Sequence, residues 1–132
     1  MANILIIDDD IDSADALGDA MRREGHEVRI GYNGQDGLRL AHERPPEVAL
    51  LDVEMPFLDG PGLAYEMFIH DMGLEDVPVV FLSGVSNLKE VAAQAGTPYY
   101  LGKPYPYQRL IDLVRRALAE QIAPRPRDRQ RE

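Results

Sequence analysis

Apolar and polar positions alternate along this chain at two different periods, and the two take turns. Short runs of β-branched or apolar residues stand at 4–7, 27–30, 48–51, 77–82 and 99–101, each of a length suited to one strand. Between them the apolar positions return every three or four residues, the spacing of an amphipathic helix. The first such stretch, 11–23, sets Ile11, Ala14, Leu17 and Met21 on one stripe and stops at Gly25. The second, 34–43, stops at Pro45-Pro46. The third opens at Asp59-Gly60-Pro61, with proline tolerated in the first turn, and carries Leu63, Met67 and Phe68. The fourth, 87–94, is short, rich in alanine and closed by Gly96. The fifth, 107–122, repeats Leu110, Leu113, Val114 and Leu118. Five strand–helix units follow one another with no internal repeat or linker.

Strands that alternate with helices at this spacing pair in parallel through right-handed crossovers. The runs at 48–51 and 79–82 contain no polar residue, which marks central strands covered on both faces. The pattern predicts an open α/β sandwich, whose ligands gather at the carboxyl ends of the strands. The reactive residues fall at those ends. Asp8 and Asp9 follow the first strand, Asp52 the third and Ser83 the fourth, and Lys103 lies just past the fifth.

Three carboxylates in one crevice cannot all ionise cheaply, and a hard divalent cation removes that cost. Mg²⁺ takes a few carboxylate oxygens, keeps several waters and completes its shell with phosphate oxygens. No His or Cys stands at ligand spacing, which argues against Zn²⁺. His26, His42 and His70 fall in or beside helices and the second strand, and read as surface or boundary residues. Lys103 would meet an incoming anion as a compact point charge, and Ser83 offers it a hydroxyl donor. Asp52 is a competent nucleophile for phosphoryl transfer, yielding an acyl phosphate.

Composition narrows the reading. A length of 132 residues suits one domain, and the absence of Cys excludes disulfides and thiolate metal sites. The net charge is −9, although from Ala123 onward four arginines outnumber Asp128 and Glu132, so the body is more acidic than the whole. An acidic body repels nucleic acid, and nucleic-acid binding is not expected. No apolar run approaches the ~20 residues that span a bilayer, so no membrane insertion is expected. The first run ends in Asp8-Asp9-Asp10, unlike a signal-peptide core, and a cytoplasmic location is the expectation. Residues 1–122 form the expected domain. Residues 123–132, with Pro124 and Pro126, form an Arg/Pro-rich tail expected to be solvated and disordered.

Four stretches, taken together, resemble the receiver domain of bacterial two-component response regulators, of the stand-alone chemotaxis-regulator kind. They are Ile4-Leu5-Ile6-Ile7-Asp8-Asp9-Asp10, Leu51-Asp52-Val53-Glu54-Met55-Pro56-Phe57-Leu58-Asp59-Gly60, Leu82-Ser83-Gly84 and Leu101-Gly102-Lys103-Pro104-Tyr105. The likeness runs from about residue 3 to 121, with weaker agreement at Gly25-His26-Glu27-Val28 and Asn33-Gly34. It implies a flavodoxin-like fold, a five-stranded parallel sheet in the order 2-1-3-4-5 flanked by five helices. It further implies Asp52 as phosphoacceptor, and Mg²⁺, with Mn²⁺ as a substitute, on Asp8, Asp9, Asp52 and the backbone carbonyl of Glu54. Lys103 would be the counter-ion and Ser83 the switch hydroxyl. Tyr100 would be the aromatic residue whose ring moves inward with it, and Lys103-Pro104 a cis peptide. The phosphodonor would be a sensor histidine kinase or a histidine phosphotransfer protein. The output would pass to a downstream protein through the face of the fourth helix, fifth strand and fifth helix, the chain itself being a monomer or weak homodimer. Such a domain is a signalling switch rather than an enzyme, catalysing only its own phosphorylation and slow dephosphorylation.

The chain departs from the family in places. The stretch from Ser83 to Gly96 is shorter than usual, Gly84 stands where alanine is common, and Glu54 puts a carboxylate near the mouth of the site. Tyr99, Tyr100, Tyr105 and Tyr107 crowd one region and suggest an interface. Other readings are a receiver cut from a longer regulator or hybrid kinase, a receiver-like domain that is not phosphorylated, and an aspartate-nucleophile phosphohydrolase. Glu54 has the second-acid spacing of the last, but no segment is present to form a substrate cap.

Overall fold

The computed structural model describes residues 2–52 and 69–125. Its strands are β1 (Asn3–Asp8), β2 (Glu27–Gly31), β3 (Val48–Asp52), β4 (Val79–Ser83) and β5 (Tyr99–Gly102). Its helices are α1 (Ile11–Arg23), α2 (Gly34–Glu43), α3, described over 69–71, α4 (Leu88–Ala95) and α5 (Tyr107–Glu120). All strand pairs are parallel and the order is β2-β1-β3-β4-β5, the flavodoxin-like sheet that was expected. Glu54 and the start of the third helix, with Leu63, Met67 and Phe68, lie outside the described residues.

Because strand side chains alternate between faces, each central strand feeds two cores. Ile4, Ile6, Val48, Leu50, Val80 and Leu82 pack against Leu17 and Met21 of α1 and Leu110, Ile111 and Val114 of α5. Leu5, Ile7, Ala49, Leu51, Val79 and Phe81 pack on the other face, against Ala41 of α2, Ile69 of α3 and Val91, Ala92 and Ala95 of α4. The two layers explain why β1, β3 and β4 are buried along their whole length.

Helix ends follow local chemistry. The Asp10 carboxylate accepts the Ser13 N–H at 3.1 Å and caps α1. Beyond α1, Gly25 at φ 88° closes a Schellman turn, with N–H bonds from Gly25 to the Arg22 carbonyl and from His26 to that of Met21. Asn33 caps α2 through the Asp36 N–H at 2.8 Å.

Several expectations need correction. Ile11 is not part of the buried stripe: it is 58 % exposed, since the first turn of α1 rises beyond the strand ends. β4 starts at Val79 rather than 77, because Pro78 has no N–H to give and offers only its carbonyl, to the Ala49 amide. α5 ends at Glu120, where Gln121 turns into the left-handed region. Residues 123–125, assigned to the tail, lie against the body, with Pro124 buried and the Arg125 N–H on the Gly96 carbonyl at 2.8 Å. The four tyrosines also divide. Tyr99 is fully buried and Tyr105 packs partly into the α1/α5 core, while Tyr100 and Tyr107 are exposed. Among the described residues, no helix is long and apolar enough to cross a membrane.

Candidate functional site

The ladder itself assembles the site. Asp8 and Asp52 were expected just past their strands, but each is the last residue of its strand, and they stand in direct register between β1 and β3. Continuing the alternation puts both on the α1/α5 face, with Ile6 and Leu50 beneath them. Both are buried, Asp8 at 1 % and Asp52 at 3 % exposure.

Lys103 comes from the other side. It lies one residue beyond β5, where its N–H donates to the Ser83 carbonyl at 2.9 Å. From there its side chain reaches back across β4, and Nζ lies 2.6 Å from Asp52 Oδ2. The Lys103–Pro104 peptide is cis, in line with the resemblance. Ser83 closes β4 and is buried, and its Oγ accepts the Val85 N–H at 3.2 Å. Its hydroxyl is thus tied to its own loop through a lone pair, which leaves the proton to donate elsewhere.

Asp8 Oδ1 accepts the Asp10 N–H at 2.9 Å, but Asp8 Oδ2 and Asp52 Oδ1 are buried with no hydrogen-bond partner among the described residues. Orphaned charged oxygens are costly, so the pair is unsettled as it stands. Burial pushes the Asp52 carboxyl up to about 7; the Lys103 bond works against that rise and the Asp8 charge adds to it. Burial raises Asp8 as well, opposed by the Asp10 amide. For Lys103 burial disfavours the charge, yet the bond and field of Asp52 leave its pKa above the ordinary value.

The two orphaned oxygens fit a hard cation, since Mg²⁺ is commonly held by one or two carboxylates with waters and phosphate filling the shell. Asp9 is exposed at the turn after β1, and among the described residues no three His, Cys, Asp or Glu side chains cluster tightly enough to hold a metal ion unaided. The structure thus joins Asp8, Asp52 and Lys103, with the Ser83 backbone bonded to that of Lys103, and leaves Asp9 exposed at the turn after β1. Tyr100 stands apart at the sheet edge, 37 % exposed, lining a groove of about 400 Å³ with Leu101, Arg109, Leu113 and Arg116.

Two contributors were missed in the sequence. Asp10 fixes Asp8 through its amide while capping α1, and an Asp three residues before Ser13 at a helix start was the available signal. Tyr105, half-buried, lies close enough to the acids to feel their charge. Burial raises its phenol pKa and the Asp52 charge raises it further, so the hydroxyl stays protonated beside the acids.

Comparison with known proteins decides the family: residues 4–115 match the family described as Response regulator receiver domain. The chain belongs to that family. The receiver is 35 % identical over 117 residues to the transcriptional regulatory protein PrrA of Mycobacterium tuberculosis, covering 87 % of this chain and 49 % of PrrA. It is 32 % identical over 120 residues to the transcriptional regulatory protein PcoR of Escherichia coli, covering 89 % of this chain and 52 % of PcoR. The chain spans about half the length of these curated relatives. Among solved structures, the receiver domain of NtrX from Brucella abortus superposes with a TM-score of 0.74 at 31 % identity, covering 89 % of this receiver and 98 % of that chain. Receivers of this family work with histidine kinases and downstream effectors, and the fold and site of this chain are consistent with phosphorylation-dependent switching.

Proposed function

We propose that this receiver accepts a phosphoryl group on Asp52 from a phosphohistidine donor, carried by a sensor kinase or a phosphotransfer protein. The observation that carries the proposal is the division of labour on one buried carboxylate. Asp52 Oδ2 is held by Lys103 at 2.6 Å, while among the described residues neither its Oδ1 nor the Oδ2 of Asp8 has a hydrogen-bond partner.

The free Oδ1 is the nucleophile: it bonds to phosphorus as the P–N bond to the donor imidazole breaks, and the departing nitrogen takes a proton. Lys103 holds the carboxylate in position, favours its ionised form, and then pairs with the oxygens of the transferred group. The Ser83 O–H turns toward one of those oxygens, pulling on the loop that its Oγ shares with Val85. Asp8 and Asp52, joined by Asp9 and the Glu54 carbonyl, are the residues to hold Mg²⁺ or Mn²⁺. When bound, that ion neutralises the crowded charge. Tyr100, exposed beside α5, follows Ser83 inward, and the changed α4–β5–α5 face meets a downstream protein.

Incubation with Mg²⁺ and acetyl phosphate, followed by intact mass, tests this. One hydroxylamine-labile phosphoryl adduct is expected on the wild type and none on Asp52→Asn. An unmodified wild type, or the same adduct on Asp52→Asn, overturns the proposal.

A further inference from the structure

α5 does not run out into solvent. Gln121 takes φ 56°, ψ 38°, its N–H closes on the Ala117 carbonyl at 2.9 Å, and its side-chain amide donates to the Leu118 carbonyl at 2.8 Å. A residue other than glycine at positive φ persists only where its surroundings hold it there. Here they do. The hydroxyl of the fully buried Tyr99 donates to Glu120 Oε1 at 2.9 Å and receives the Ile122 N–H at 3.4 Å. The Arg116 guanidinium lies over the Tyr99 ring, 5.1 Å from its centroid, and donates to the Pro98 carbonyl at 3.2 Å.

Reversed in this way, the chain crosses to the end of α4. Pro124 is buried, and the Arg125 N–H donates to the Gly96 carbonyl at 2.8 Å. Gly96 serves twice. At φ 80° it ends α4, receiving the helix through its own N–H on the Ala93 carbonyl and that of Thr97 on Ala92. Its missing side chain also leaves the space that the Arg125 backbone fills, so that any Cβ there would strike Arg125.

The other end of α4 is tied to the acidic site. Only residues 84–87 separate Ser83 from α4, and Val85 within them is bonded to the Ser83 hydroxyl. The helix is 8 residues long and starts without a side-chain cap. A connection this short has no slack, so displacement of the Ser83 loop moves α4 as a body and reaches Gly96. Tyr99, which anchors the reversed segment, is the chain neighbour of Tyr100.

We propose that residues 121–125 form a latch, seated on Gly96 and Tyr99 while Asp52 is unmodified and released when Asp52 carries a phosphoryl group. The state of the acidic site is thereby passed to the chain beyond Arg125. The proposal rests on the phosphoacceptor reading, and the test separates the two. Amide exchange of the whole chain is followed by NMR, without ligand and with Mg²⁺ plus beryllofluoride, a mimic of the phosphoryl group. The Arg125 amide should be protected in the free protein and exchange about tenfold faster with the mimic, as the Ser83 and Tyr100 resonances shift. An Arg125 amide unprotected in the free protein, or equally protected while Ser83 and Tyr100 shift, overturns the latch and leaves the phosphoacceptor reading standing. No shift at Ser83 or Tyr100 overturns both. Arg125→Pro gives a second arm, deleting the donor at an exposed residue far from the acids. Coupling is reciprocal, so this variant should bind Mg²⁺–beryllofluoride several-fold more tightly, and unchanged affinity overturns the latch.

Discussion

Asp52 meets opposing demands within one carboxyl group. Burial and the neighbouring Asp8 favour the neutral acid, and Lys103 favours the anion that can attack phosphorus. Stability records the conflict. A carboxyl whose pKa rises from 3.8 unfolded to about 7 folded makes the folded state bind more protons across that interval, so the metal-free receiver loses stability as pH rises through it. Asp52→Asn removes this titration, and Mg²⁺ suppresses it by taking the place of the proton. Urea unfolding between pH 4 and pH 8 should therefore show a shallower decline for Asp52→Asn, and for wild type with Mg²⁺, than for metal-free wild type. Identical slopes would remove Asp52 as the source. At this scale the acids, Lys103 and Ser83 were legible from sequence because strand ends are where an α/β sheet collects ligands. The hold of Asp10 on Asp8 was harder to see, being a matter of backbone direction in one turn.

Among the elements, α2 packs directly on the backbone of β2. A Cβ on Gly31 would stand 2.7 Å from the Gly37 amide nitrogen and 2.9 Å from its Cα, so β2 and α2 touch backbone to backbone. Gly31→Ala must part them, and a backbone yields less readily than a side chain. A loss of about 1–3 kcal/mol is expected in urea unfolding. A loss under about 0.5 kcal/mol would show that α2 can shift freely. Helix boundaries were legible where one residue type decides them, as at Gly25 and Gly96, whose positive φ suits glycine. They were not legible where a distant contact decides. Pro124 bars a further full turn of α5, but it does not set the stop at Glu120 rather than the expected Ile122; Tyr99 and Gly96, far back in the chain, draw it away there. Ile11 misleads for a related reason, since periodicity reports which residues share a stripe but not how far the sheet beneath them extends.

On the scale of the molecule, one sheet divides the apolar interior into two bodies. Ile6 belongs to the α1/α5 core and Ile7 to the α2/α3/α4 core. Ile→Val at either should cost about 0.5–1.5 kcal/mol. Residues adjacent in sequence normally invite coupling, yet these two have separate sets of partners. The double variant should equal the sum of the singles within about 0.5 kcal/mol in urea unfolding, and a coupling above about 1 kcal/mol would mean the cores communicate through the sheet. Asp8 and Asp52 crown the first of these bodies, while Ser83 belongs by its alternation to the second. A change in α4 or its loop therefore repacks the second body and leaves the apolar layer beneath the acids as it is, and its route to the acids is the Ser83 loop.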